Sequence, residues 1–366
     1  MDSVSRYGFI NSKLRARIGK MRDSDLVERM IKAPNLVEAV SYLSGTRYEP
    51  LIKVYDETAD LLAVEQAMTL QDIENHRDII TYLDRDTGRF VKVLLEKIET
   101  DNLKNAIRLW FSSNLSHHPM SHKASYLVRK KIVNDIDWER IINALEYKDI
   151  LRAVENTPYH SPLSSFDEAY IKDRGLFDPE VMLDRLWYER LFSAMNHLSA
   201  EDRTLVHRMY FVEADLKNIL HLIRYRFLKT LSEEDMKKVL IPYGLIWADL
   251  LRDDDGIYTA REIRDSAVRH YSVLSDLFDE LELSDEDEMS QSEVASRTMK
   301  IEAFMEKKRR AENESLLRVY PFTIGTILSY LSLCRAEDDA LKAILSAKYY
   351  DWSEDRIRRE LNGSVY

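Results

Sequence analysis

The chain has 366 residues, 45% hydrophobic and 32% charged, and 64 acidic side chains against 53 basic ones give a net charge of −11. That length allows two or three domains with cores of their own, and the acidic balance argues against a nucleic-acid partner, which needs a basic footprint to displace counterions. The lone Cys334 excludes an internal disulfide framework and suits a reducing compartment, while only nine Gly and eight Pro interrupt long amphipathic runs, which predicts an all-α fold.

The first eleven residues lack the apolar h-region of a signal peptide. Residues 7–21 predict a basic amphipathic helix, with Ile10, Leu14, Ile18 and Met21 buried and Lys13, Arg15 and Arg17 solvated. Asn35 and Glu38 have the form of a capping box, starting a helix expected to run to Ser44 and Gly45. Thr46-Arg47-Tyr48 then leads through Pro50 into a helix over about residues 58–84. Residues 85–88 read as a turn and residues 89–111 as a closing helix. Its Leu103, Ala106, Ile107 and Trp110 line one apolar stripe, and Lys104, Asn105 and Arg108 point away from it.

Residues 117–122, His-His-Pro-Met-Ser-His, break the pattern and mark a first boundary. A new unit begins near Asp137 with a helix over residues 138–156, and Thr157-Pro158-Tyr159 takes the place in it that Thr46-Arg47-Tyr48 takes in the first. Residues 159–175 read as loop, and Asp178 as an N-cap with Pro179 at N1. Helices are expected over 179–198, 200–210 and 214–231. In the last of these, Leu216, Ile219, Leu220 and Ile223 repeat the stripe of the first closing helix, and Lys217 and Asn218 again follow the leading Leu.

A looser third copy follows. Ser232 caps residues 233–240, Pro242-Tyr243-Gly244 turns, residues 246–251 resume a helix, and Gly256-Ile257-Tyr258 stands in for Thr-x-Tyr. An acidic insertion occupies residues 276–288. Leu341, Lys342, Ile344 and Leu345 echo Leu103, Lys104, Ala106 and Ile107, and a short helix over 354–361 ends the chain. The domain limits expected are therefore 1–118, 119–231 and 232–366, three helical repeats of which the last carries the insertion. Residues 319–334 carry no charge until Arg335, yet they are shorter than the ~20 residues a spanning helix needs and contain Pro321 and Gly325. They predict a buried core helix in a soluble protein.

Several clusters tempt a functional reading. Asp253-Asp254-Asp255-Gly256 with Glu262 has the Gly and terminal Glu of a calcium loop, but Leu251 holds the first ligand position and Thr259 with Glu262 forms a capping box. His117, His118 and His122 have no nearby Cys and fit no closed zinc site, so a His-rich hinge is expected. Lys307-Lys308-Arg309-Arg310 reads as a solvated helix face paired with Glu302, Glu306, Glu312 and Glu314 rather than as a phosphate or lipid-headgroup site. There is no Gly-rich phosphate loop, dinucleotide fingerprint, nucleophile elbow or His-Glu-x-x-His, and no Glu-x-x-His pair of the kind carboxylate metalloenzymes use. No catalytic residue, metal ligand or cofactor is expected.

Three segments carry a family resemblance. Tyr7-Gly8-Phe9-Ile10-Asn11-Ser12-Lys13-Leu14-Arg15-Ala16-Arg17 resembles the opening of the C subunit of archaeal and bacterial A/V-type ATPases, whose eukaryotic relative is the d subunit. Asp101-Asn102-Leu103-Lys104-Asn105-Ala106-Ile107-Arg108 is similar to that family's internal motif, and Tyr320-Pro321-Phe322-Thr323-Ile324-Gly325 through Tyr330-Leu331, with Glu337 and Leu341, to its C-terminal signature. Ala340 stands where that signature has an Asn.

The resemblance implies three similar helical bundles about a pseudo-threefold axis, forming a funnel. It also implies a non-catalytic central-stalk role, cytoplasmic and peripheral to the cell membrane through the complex. The partners implied are subunits D and F of the shaft and the proteolipid ring, without lipid insertion. Arg15, Arg17 and Lys104 are expected to be solvated, the alternative being pairs between domains or with partners. The rival reading is a free helical-repeat scaffold that binds peptides, although units as long as 1–118 far exceed solenoid periods of about 20–50 residues.

Overall fold

The computed structural model describes residues 2–23, 25–115, 127–228, 240–250, 260–275 and 291–364, and among them every regular element is a helix. The chain divides into two compact units, Met1–Leu198 with Leu333–Glu354, and Ser199–Ser332 with Asp355–Tyr366. Among the described residues no helix is long and apolar enough to cross a membrane.

The first unit opens with α1 (Ser3–Asp23), where Tyr7, Ile10, Leu14 and Ile18 are buried as the 3.6-residue period requires and Met21 is half-buried. Lys13 and Arg17 are not simply solvated, since both reach Asp78, at 3.1 and 2.6 Å. After α2 (Leu26–Lys32), Asn35 caps α3 (Leu36–Ser41) by accepting from the Glu38 amide at 2.9 Å. Glu38 completes no box, because its carboxylate takes the Tyr42 hydroxyl instead. The expected helix over 58–84 is a few residues shorter at each end, and a further helix precedes it. Pro50 lies in the first turn of that earlier helix, α4 (Glu49–Thr58), and Asp60 restarts the chain by capping the expected one, α5 (Leu61–Ile80).

The expected turn at residues 85–88 is also replaced by helix. Asp84 caps the amides of Asp86 and Thr87, and α6 runs unbroken from Arg85 to Asn114 through a buried Gly88. The expected helix over 138–156 divides into α7 (Trp138–Ile142) and α8 (Tyr147–Ala153). The expected loop 159–175 holds α9 (His160–Leu163) and α10 (Glu168–Arg174). Next comes α11 (Phe177–Met195), which begins before Asp178; that side chain accepts from the Tyr170 hydroxyl rather than capping.

This unit is organised around α6, which packs against α5, α7 and α11. Leu103, Ala106, Ile107 and Trp110 are buried in one core with Trp138, Ile141, Tyr147 and Ile150. Each such large apolar side chain contributes roughly 1.5–3 kcal/mol by leaving water. The Trp187 indole donates to the Val93 carbonyl at 2.9 Å and fixes α11 on α6.

In the second unit, the two helices expected over 200–210 and 214–231 are one, α12 (Ala200–Leu228), because nothing in Phe211-Val212-Glu213 breaks a helix. It packs against α13 (Leu245–Leu250), α14 (Ala260–His270) and α15 (Gln291–Leu316) around Ile219, Ile246, Ile263 and Ile301. The uncharged run 319–334 forms helix only after its Pro, as the start of α16 (Gly325–Tyr349), and Ile327, Leu328 and Cys334 are buried as expected. The last helix is α17 (Glu354–Ser364).

Candidate functional site

The most informative pattern is a buried acidic residue that recurs on three of the long helices, α6, α12 and α16. On α6, Glu99 is fully buried and accepts four donors: the Val133 and Asn134 amides at 2.7 and 2.8 Å, the Asn134 side chain at 2.7 Å, and the Tyr159 hydroxyl at 3.0 Å. One turn on, Asn102 holds both the N–H and the C=O of Val128, at 3.0 and 2.9 Å. On α12, Asp215 accepts the Leu245 and Ile246 amides at 3.1 and 3.0 Å and the Tyr271 hydroxyl at 2.6 Å. Asn218, again three residues later, holds the N–H and C=O of Ile241 at 2.8 and 3.1 Å. Each carboxylate–amide pair satisfies backbone groups of a segment more than twenty residues further along the chain, which would otherwise lose their partners at a cost.

On α16 the corresponding carboxylates are Glu337 and Asp338. Tyr48 lies 2.9 Å from the first and 2.5 Å from the second through its hydroxyl, and Arg47 reaches both at 3.2 and 2.7 Å. Three residues beyond Glu337 stands Ala340 in place of the Asn, and Lys348 instead holds backbone carbonyls, those of Ile31 and Ala33, at 2.7 and 2.5 Å.

The tyrosines are positioned by local structure. Thr46 donates to the Leu43 carbonyl at 2.6 Å and accepts the Tyr48 amide at 3.1 Å; Thr157 does the same with Val154 and Tyr159, at 2.7 and 3.3 Å. The two Thr-x-Tyr segments are thus one turn made twice. The third tyrosine, Tyr271, stands nearly as far beyond Tyr159 as Tyr159 stands beyond Tyr48, but it follows the end of α14 and has no threonine turn. Tyr258, expected in that role, lies outside the described residues.

The periodicity seen in sequence is displaced as well. The shared Leu-Lys-Asn set Asn105 opposite Asn218, whereas Asn102 fills the role of Asn218, one helical turn earlier. Buried Ile219 accordingly corresponds to buried Leu103, while Leu216 and Leu220 are half-buried.

Burial pushes the Asp215 carboxyl up to about 6 against the Tyr271 and backbone donors that favour its charge. It pushes Asp338 to about 7 against Arg47. Glu99 is likewise raised by burial despite its amide donors, and Tyr48, Tyr159 and Tyr271 are all raised by burial first.

A second polar cluster ties α6 to α11. Lys97 and Lys104 both reach Asp184, at 3.0 and 2.8 Å, and both reach Asp101 at 3.0 Å. Arg190 forms a two-pronged pair with buried Glu96 at 2.7 Å. Lys104 is therefore buried and paired rather than solvated. Arg17 bonds Asp78 and Asn75, and exposed Arg15 bonds Asn11 at 3.2 Å. Arg309 and Arg310 pair with Glu306 on their own helix, and Glu312 pairs with Arg208.

His117, His118, His122, Asp253–Gly256 and the acidic insertion lie outside the described residues. Glu262 belongs to α14. Among the described residues no group of three or more His, Cys, Asp or Glu side chains could hold a metal ion. What the arrangement can do is mechanical, since fully hydrogen-bonded buried networks hold long helices in one geometry.

Known proteins give an independent comparison. The model of the family described as the ATP synthase (C/AC39) subunit matches residues 10–360. The C subunit of the A-type ATP synthase of Thermococcus onnurineus (strain NA1) is 23% identical over 340 residues, covering 92% of this chain and 85% of the relative. That of Methanosphaera stadtmanae is 22% identical, with 93% and 84% covered, and that of Methanocaldococcus jannaschii 22%, with 97% and 86% covered.

Proposed function

The chain belongs to the ATP synthase (C/AC39) subunit family, and from that premise we propose that it is the non-catalytic central-stalk component of a rotary A/V-type ATPase. In this reading it seats the shaft of subunits D and F on the membrane proteolipid ring and passes torque between them. It is held peripherally at the membrane through the complex, with no cofactor and no insertion into lipid.

The observation that carries the reading is the seating of the long helices α6, α12 and α16. A torque coupler needs stiff elements rather than chemistry, and close-packed interiors have low compressibility and transmit strain. Glu99, Asp215 and Asp338 each fasten a long helix to a tyrosine distant in sequence. The same contacts support three repeats near 1–118, 119–231 and 232–366. The long helix of the first takes the tyrosine of the second, that of the second the tyrosine of the third, and that of the third Tyr48 of the first.

Co-purification tests the role. The tagged chain, drawn from membranes in mild detergent, is expected to bring subunits D and F and the proteolipid with it. Recovery from detergent extracts free of all three contradicts the proposal and favours a free helical-repeat scaffold.

A further inference from the structure

At the joint between α16 and the turn before α4, two carboxylates converge on one guanidinium and one phenol. Arg47 Nε lies 3.2 Å from Glu337 and its Nη2 2.7 Å from Asp338. The Tyr48 oxygen lies 2.9 Å from Glu337 Oε2 and 2.5 Å from Asp338 Oδ1. A phenol has one proton and can donate it to only one of those oxygens.

The surroundings carry charges of both signs. From α5, Asp72 faces Asp338 and raises it, while His76 sits 3.3 Å from Asp72. Gln71 of the same helix donates to the Arg47 carbonyl. From α16 itself, Lys342 opposes the rise of Asp338, and Arg335 acts on Asp72. Asp338 is 7% exposed, so water does little to separate the charges.

We propose that this joint is a proton-operated clasp, which takes one proton onto the Asp338 side of the cluster when it grips α16 to the first repeat and loosens as that proton is withdrawn. With the added proton Asp338 can donate to the Tyr48 oxygen while Tyr48 donates to Glu337, and one negative charge leaves a buried site. The Asp338 carboxyl, pushed to about 7 by burial, and a raised Glu337 agree with that geometry. The opened joint exposes Asp338 to water, where it ionises near 3.8. Between those values only the closed joint holds the proton, so opening becomes up to about tenfold easier per pH unit and levels off above the upper one. The clasp does not depend on the rotor role.

Cys334 is a built-in reporter. It is the only cysteine, it is buried, its carbonyl accepts from Arg47 at 3.1 Å, and its Sγ lies 3.8 Å from the Asn75 amide. The full chain would be labelled with a dithiodipyridine reagent from pH 5 to 8, each rate divided by that of the urea-unfolded chain at the same pH. Protection is expected to fall roughly ten- to a hundredfold between pH 5 and 7 and then flatten. Asp338→Asn should abolish that fall. Glu337→Gln, which leaves Arg47 and Tyr48 to Asp338 alone, should move the flattening point to lower pH. Protection independent of pH in the natural chain, a slope surviving in Asp338→Asn, or an unmoved flattening point in Glu337→Gln would each overturn the proposal. Should Asp338→Asn fail to fold, the Glu337→Gln profile decides alone.

Discussion

Gly244 stands directly against Asp215: a Cβ built on this glycine would lie 2.3 Å from the carboxylate Oδ1 and 3.0 Å from Cγ, and its φ of +103° is one that L side chains rarely adopt. The carboxylate cannot withdraw without giving up the Leu245 and Ile246 amides and the Tyr271 hydroxyl. The glycine of the Pro242-Tyr243-Gly244 turn is thus required twice over, by conformation and by the approach of a buried charge.

Gly244→Ala is expected to cost about 2–4 kcal/mol, combining backbone strain with displacement of a seated carboxylate. Urea unfolding would show this as a lowered midpoint with an unchanged slope. A midpoint equal to that of the parent would mean that Asp215 is not held as described.

The donors around Glu99 differ in weight. Tyr159→Phe removes one of four and should cost about 1 kcal/mol. Glu99→Leu strands the half-buried Val133 and Asn134 amides and the Asn134 side chain together and should cost about 3 kcal/mol. Similar losses in the two variants, measured by chemical denaturation, would show that the tyrosine and not the backbone is the main load on Glu99.

Much of this fold was legible in the chain and much of its polar interior was not, for an identifiable reason. Apolar periodicity marks which positions face a core, so Ile10, Leu14 and Ile18 and the stripe from Leu103 to Trp110 were placed correctly. It says nothing about a buried charge. Glu99, Asp215 and Lys104 each sit among other charged residues, where a paired and buried side chain looks the same as a solvated one. The Thr-x-Tyr spacing was the one visible sign of the joints, and it could not point to Tyr271, which lacks the threonine. Gly88 was misread because a glycine so near a helix start resembles a turn, whereas the Asp84 cap lies upstream of it.

Lys97 and Lys104 balance Asp101 and Asp184, two charges against two. Lys104→Met leaves a buried negative charge in excess and should cost about 2–4 kcal/mol. Adding Asp184→Leu removes that excess while Lys97 keeps Asp101 at 3.0 Å, so the double variant should recover at least half of the loss. Strict additivity of the two losses in a double-mutant cycle would contradict the shared network.

Asp215 gives the second unit a definite response to pH. Because its carboxyl is raised to about 6 from an ordinary 3.8, the folded form holds a proton that the unfolded form releases between those values. Stability should therefore fall by roughly 2–3 kcal/mol as pH rises from 4 to 6 and stay level beyond. Asp78 has the opposite sign: hydrogen bonds from Arg17 and Lys13 outweigh the effect of burial and lower it, so its contribution is present above 3.8 and lost on further acidification. Trp247, the one tryptophan within Ser199–Ser332, would report on the second unit alone by fluorotryptophan NMR during urea unfolding. Stability there that rises from pH 4 to 6, or that keeps its slope in Asp215→Asn, would rule out this assignment.

The rotor role is tested most directly by coupling. The complex would be reconstituted in vesicles with and without this chain, and ATP hydrolysis and ion uptake measured in parallel. With the chain omitted, hydrolysis by the soluble head should persist while ATP-driven ion uptake falls to background, and adding the purified chain should restore it. Undiminished uptake in vesicles shown to lack the chain would contradict its place between shaft and ring.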